Sequence, residues 1–118
     1  MSDSIAAFFS AWGDPNPETR ARSLRDCVGE DVVYADPRTP EPITDTAALN
    51  HYIGMYSQHS PGATAHVAAL STTGTSHRAT VTFVMADGAG QHGQYFIELD
   101  KTGRLARLTG FAGLGEPE

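Results

Sequence analysis

The stretch VVYADPRTPEPITDTAALNHY, residues 32–52, decides how this chain folds. Val32, Val33 and Tyr34 open a strand, because β-branched and aromatic side chains suit a pleated, half-buried surface. The residue before a proline is pushed to an extended conformation, so Asp36, in front of Pro37, keeps the strand geometry. Alternation then places Tyr34 and Asp36 on one face, with Val33 and Ala35 on the other. PRTPEP holds no regular structure. Asp45 caps a helix whose stripe is Ala48, Leu49, Tyr52, Ile53 and Tyr56. The segment therefore reads strand, loop, helix, with a carboxylate at the end of the strand.

Upstream, Ile5, Phe8, Phe9 and Trp12 recur at helical spacing, behind a cap at Ser2 or Asp3. GDPNP breaks the chain. Asn16 caps a second helix that starts at Pro17 and is expected to run to Val28, with Gly29 as its stop. Downstream, SPG at 60–62 closes the third helix, and the rest is strands: 64–71, 77–86, 92–100 and 104–112. In one of them His77, Ala79, Val81, Phe83 and Met85 alternate with Arg78, Thr80 and Thr82, the pattern of a half-buried antiparallel strand. The order is α-α-β-α-β-β-β-β. Strands joined by short turns form an antiparallel meander, and three amphipathic helices must cover its apolar face, which makes a two-layer α+β domain.

The 118 residues suit one domain, 1–118, with 113–118 expected to fray. Fourteen acids against eight bases give a net charge of −6, and Lys and Arg form no cluster. Nucleic acid and anionic membranes are therefore not expected as partners. Cys27 is the single cysteine, so no internal disulfide forms and a reducing cytoplasm fits. It reads as a small core residue at the end of the second helix. The N-terminal segment has no basic region of the kind that opens a signal peptide, and no apolar run approaches a membrane span.

The paired N-terminal helices, EDVVYADP, the TAALNHYI helix and the closing ELDKTGRLARLTGFAG resemble, over nearly the whole chain, the nuclear transport factor 2-like superfamily. Within it the chain is most similar to the SnoaL-like group, which includes polyketide cyclases, and to the ketosteroid isomerases. The resemblance implies a cone-shaped α+β barrel, a strongly curved antiparallel sheet wrapped around the N-terminal helix, and an apolar cavity. It implies a homodimer. It also implies that Asp36 occupies the position of the isomerases' general base.

Asp36 admits two readings. A carboxylate in an apolar cavity is disfavoured in its charged form and can be tuned toward proton transfer. An Asp-Pro pair can equally form a turn whose carboxylate accepts backbone amides. An oxyanion formed by proton abstraction also needs a donor. The isomerases' donor on the first helix falls on Phe8 here, which cannot donate, while their late-strand donor falls on Tyr95, which can. Catalysis is thus expected of Asp36 and Tyr95, unless Tyr95 is simply a core phenol bonded to backbone. The expected pocket residues are Phe8, Trp12, Tyr34, Tyr52, Tyr56, His66, His77, Phe83 and Phe111. His51 and His59 are expected at the surface. The histidines show neither i, i+4 pairs nor a Cys/His grouping, so no metal is expected. No GxSxG, P-loop or GxGxxG occurs, and DGAGQHG joins two strands rather than opening a helix, so no cofactor is expected. The two function classes are a cofactor-independent isomerase or cyclase acting on a small apolar or polycyclic molecule, and a non-catalytic ligand-binding or dimerisation module.

Overall fold

The computed structural model describes residues 4–115. Three helices, α1 (Ser4–Ala11), α2 (Pro17–Cys27) and α3 (Thr46–His59), accompany five strands. These are β1 (Val28–Ala35), β2 (Thr64–Thr73), β3 (Ser76–Val84), β4 (Gly90–Leu99) and β5 (Leu105–Ala112). The order of elements is the one expected from the sequence. The expected cap at Ser2 or Asp3, and the end of the expected frayed tail, fall outside the described residues. Gly113, at the start of that tail, is tied to β4 by its N–H on the His92 carbonyl, 2.9 Å.

The sheet is open, in the order β1-β5-β4-β3-β2. β2 to β5 form the expected antiparallel meander. β1 joins its edge parallel to β5, with Tyr34 opposite Leu108, so the sheet is mixed and is not closed into a barrel. A parallel pair needs a long crossover, and here that crossover is everything between residues 35 and 105. Register shifts place extra residues in β1, β2 and β5, and such bulges bend and twist a strand.

α2 stops one residue before the expected end, and Gly29 is not its stop. Val28 is already extended (φ −108°, ψ 132°) and passes directly into β1. Gly29 lies in close quarters instead: a Cβ there would meet the Asp100 carboxylate at 2.5 Å and the Leu105 carbonyl at 3.2 Å. α1 lies against the inner face of the sheet, with Phe8 6.1 Å from Tyr34 and Phe9 4.9 Å from Tyr95, centroid to centroid. Val32, Tyr34, Ala79, Val81, Tyr95, Ile97 and Leu108 supply that face. Leu24, Leu49 and Ile53 seal it from the helical layer. Cys27 is buried, and burial, with Asp26 beside it, pushes its thiol up to about 11, so it is an inert core residue.

Candidate active site

Three local features build the site. The chain after Asp36 folds back, and Tyr34 and Ile43 exchange backbone hydrogen bonds of 2.8 Å each way. This clamp fixes the last turn of β1. Asp36 then forms an Asx-type turn, its Oδ1 accepting the amides of Arg38 (2.8 Å) and Thr39 (3.1 Å). α3 crosses above and brings Tyr52 to the same carboxylate.

The carboxylate faces three phenols. The Tyr34 hydroxyl donates to Asp36 Oδ2 at 2.6 Å. The Tyr52 hydroxyl reaches both oxygens, Oδ1 at 2.8 Å and Oδ2 at 2.7 Å. The Tyr34 and Tyr95 hydroxyls lie 3.1 Å apart. Because Tyr34 has one proton and commits it to Asp36, Tyr95 is the donor in that contact. Gly110 makes room: a Cβ there would sit 2.7 Å from the Tyr95 ring and 3.2 Å from Asp36 Cβ. Asp36 thus forms the expected Asx turn through one oxygen and meets phenols chiefly through the other.

Burial raises all three phenols above the ordinary tyrosine value. The negative charge of Asp36 adds to the rise in each. The phenols accordingly stay protonated and act as donors.

Asp36, Tyr52 and Tyr95 border a cleft of about 440 Å³ whose wall is mostly apolar. Trp12 is its centre. The indole stands 5.2 Å from the Tyr56 ring, 5.7 Å from Phe83 and 6.2 Å from Tyr52. Two donors in this wall, Trp12 Nε1 and the Tyr56 hydroxyl, are buried without a hydrogen-bond partner. An unsatisfied buried donor costs about 1–3 kcal/mol, which an acceptor could recover where a side-chain shift exposed the donor to the cleft.

Not every expected pocket residue reaches the cleft. Trp12, Tyr52, Tyr56, Phe83, Tyr95 and Phe111 line it, Phe111 from a half-exposed rim position. Phe8 and Tyr34 are fully buried behind the wall; Phe8 supports the rings and Tyr34 orients Asp36 from below. His66 points outward and is exposed, because Ala65 and Val67 take the inner face of β2. His77 does share the parity of Ala79, but at the far end of β3, where its Nδ1 contacts Thr72 Oγ1. His59 is exposed, as expected, and stands at the rim of the cleft, as does the exposed His92. Their spacing gave no signal, since each sits at the end of an element whose direction is set by tertiary packing. Among the described residues no His, Cys, Asp and Glu cluster could hold a metal, and no helix is long and apolar enough to cross a membrane.

No protein-family profile matches this chain, and no curated protein matches it in sequence. Solved structures do match. A protein of the SnoaL-like family from Agrobacterium tumefaciens, described as a candidate isomerase, superposes with a TM-score of 0.83 at 21% identity, over 92% of each chain. A candidate polyketide cyclase from Sinorhizobium meliloti gives 0.73 at 15%, over 93% of this chain and 94% of that one. A candidate ketosteroid isomerase from Kribbella flavida gives 0.66 at 23%, over 99% and 83%. At these identities the likeness is one of architecture. The chain thus has the cone fold of the SnoaL-like, nuclear transport factor 2-like and ketosteroid isomerase-like proteins.

Proposed function

We propose that this protein moves a proton next to the carbonyl group of a small, flat, largely apolar molecule, as an isomerase or an aldol-type cyclase does. The observation that carries this reading is the Asp36 carboxylate at the edge of an aromatic cleft, with two phenol donors within 2.7 Å of its Oδ2. In the proposed step a C–H bond next to the carbonyl breaks. The proton passes to Asp36, and the electron pair moves into the enolate. Negative charge thereby leaves the carboxylate and appears on the substrate oxygen. Phenols that stabilised the first can stabilise the second, and Tyr52, which lines the cleft, is placed to follow the charge. Asp36 then returns the proton to another carbon, or the enolate attacks a second carbonyl. This assigns Tyr52 the donor role expected of Tyr95, whose proton is committed to Tyr34. The fold neighbours described as candidate isomerases and cyclases support the class of reaction.

The test is deuterium exchange. Indanone, tetralone and cyclopentenone are incubated with the protein in D2O, and incorporation next to the carbonyl is followed by NMR. Exchange above buffer, lost by about 100-fold or more in Asp36→Asn, is expected. Exchange no faster than buffer, or unchanged in Asp36→Asn, refutes the proposal.

One observation favours a second reading, a binding module without chemistry. Two amides and two phenols donate to Asp36, which is as many donors as a carboxylate has lone pairs to offer. A proton can reach it only when one donor turns away. Ketones that bind saturably without exchanging would favour this reading. The Phe96 ring, more than half exposed and 6.3 Å from the Phe111 ring at the cleft rim, supports a homodimer, which sedimentation equilibrium would test.

A further inference from the structure

The one buried charged residue among the described residues lies away from the cleft. Arg20, on α2, is 3% exposed. Its Nε donates to Asn50 Oδ1 at 2.6 Å and its Nη1 to the Asp14 carbonyl at 2.7 Å. Both partners are neutral. No carboxylate among the described residues pairs with it, and Nη2 makes no hydrogen bond. Nη2 lies beside Gly54, where a Cβ would approach it to 2.7 Å. The missing side chain of Gly54 thus keeps the guanidinium uncovered.

A buried charge is costly unless an opposite charge or a full set of hydrogen bonds compensates it. Arg20 has neither within the chain. It forms part of the wall of a second groove, about 450 Å³, between α2 and α3. Asn50, His51, Ser57 and Gln58 add polar groups to that wall, and no acidic residue lines it. A wall with one cation and no acid favours an incoming anion locally, against the overall charge of −6.

We propose that this groove binds a small oxyanion, a phosphate or carboxylate group, on Nη2 of Arg20. A guanidinium presents its N–H groups in a fork that matches such oxygens, and the two on Nη2 are uncommitted. The site is separate from the aromatic cleft and does not depend on the reaction proposed there. α3 is the partition between them: Tyr52 and Tyr56 face the cleft, Asn50 and Ser57 the groove.

The test is the thermal unfolding midpoint in sodium phosphate and in sodium acetate, each against sodium chloride at matched ionic strength. It is read together with the Arg20 Nε–H NMR signal. A saturable rise of several degrees, with movement of that signal, is expected in at least one oxyanion. The larger response identifies phosphate or carboxylate as the recognised group. Arg20 also ties a loop to α3, so its removal can unfold the protein. Asn50→Asp is the informative variant. It sets a carboxylate on the guanidinium at the position Asn50 Oδ1 already occupies. That variant is expected to melt higher in chloride and to need roughly tenfold more oxyanion for the same rise. Generic salt stabilisation does not saturate and ignores this substitution. An equal response to chloride, or an Asn50→Asp protein that responds like the wild type, overturns the proposal.

Discussion

The Tyr52 hydroxyl lies 2.8 Å from one carboxylate oxygen of Asp36 and 2.7 Å from the other. It has a single proton to give, so the two carboxylate oxygens share it. Tyr34, by contrast, is fully buried and commits its proton to Oδ2 at 2.6 Å. Tyr34 supports the carboxylate from behind the wall, and Tyr52 reaches it from the cleft side.

Tyr52→Phe should therefore separate catalysis from stability. Asp36 keeps the Arg38 and Thr39 amides and the Tyr34 hydroxyl, so unfolding free energy should change by about 1 kcal/mol or less. Ketone deuterium exchange should fall by roughly 10- to 100-fold. Urea unfolding and the exchange assay on the same sample check this. Retained exchange would remove Tyr52 from the reaction and return the donor role to Tyr95 or to the buried pair at Trp12 and Tyr56.

Gly110→Ala tests the packing beneath the site. The new Cβ would meet the Tyr95 ring at 2.7 Å and Asp36 Cβ at 3.2 Å, and neither a buried ring nor the end of β1 can yield freely. A loss of about 1–3 kcal/mol is expected, with exchange reduced at least tenfold. Gly93→Ala is the control. Its Cβ would meet the Phe111 carbonyl at 3.2 Å and the Phe83 ring at 3.5 Å, so a smaller loss is expected and Asp36 should stay in place. Equal damage from the two would show that the contact with Asp36 has no special importance.

These residues also show what the sequence could and could not say. The i, i+2 relation of Tyr34 and Asp36 follows from strand alternation alone, and the two do share a face and a hydrogen bond. The stripe that brought Tyr52 and Tyr56 toward the core was equally legible, because helical periodicity survives any tertiary arrangement. What was hidden depends on contacts distant in the chain. The parallel pairing of β1 with β5, seen in Val28 opposite Leu105, leaves no local signature. Nor does the direction of α3, which sets the exposed His59 at the cleft rim. Gly29 looked like a helix stop because glycine commonly is one. Here it lies in β1, close to the Leu105 carbonyl and Asp100, which no local pattern records. His66 was assigned to the inner face because only a register relative to the core distinguishes the two faces of β2.

Alkaline pH should destabilise the fold. The chain has four tyrosines, and all four are raised above the ordinary value, each chiefly by burial. In the unfolded chain they lose their protons near pH 10. Between that pH and the higher native values the folded state holds more protons, so stability falls as pH rises. The contribution is complete below pH 10 and is lost progressively above it. Urea midpoints measured from pH 8 upward should be flat and then decline beyond about pH 10. Tyrosinate absorbance should appear together with unfolding. A native protein that ionises tyrosine near pH 10 would contradict the buried cluster.

The unpartnered donors at Trp12 and Tyr56 make the last prediction. Removing a buried hydroxyl that has no partner removes its desolvation cost, so Tyr56→Phe should leave the free protein as stable or more stable by about 1 kcal/mol. The same substitution should weaken a bound ketone by about tenfold if the carbonyl oxygen accepts from that hydroxyl. Trp12 is the only tryptophan and lines the cleft, so its fluorescence reports occupancy without a label. Titration of indanone into the wild type should shift that emission saturably, and the Tyr56→Phe titration should need about ten times more ligand. A gain in stability with unchanged affinity would mean that the ligand's oxygen lies elsewhere, at Tyr52 beside Asp36. A loss of stability would mean that the Tyr56 hydroxyl is already satisfied in solution by a bound water.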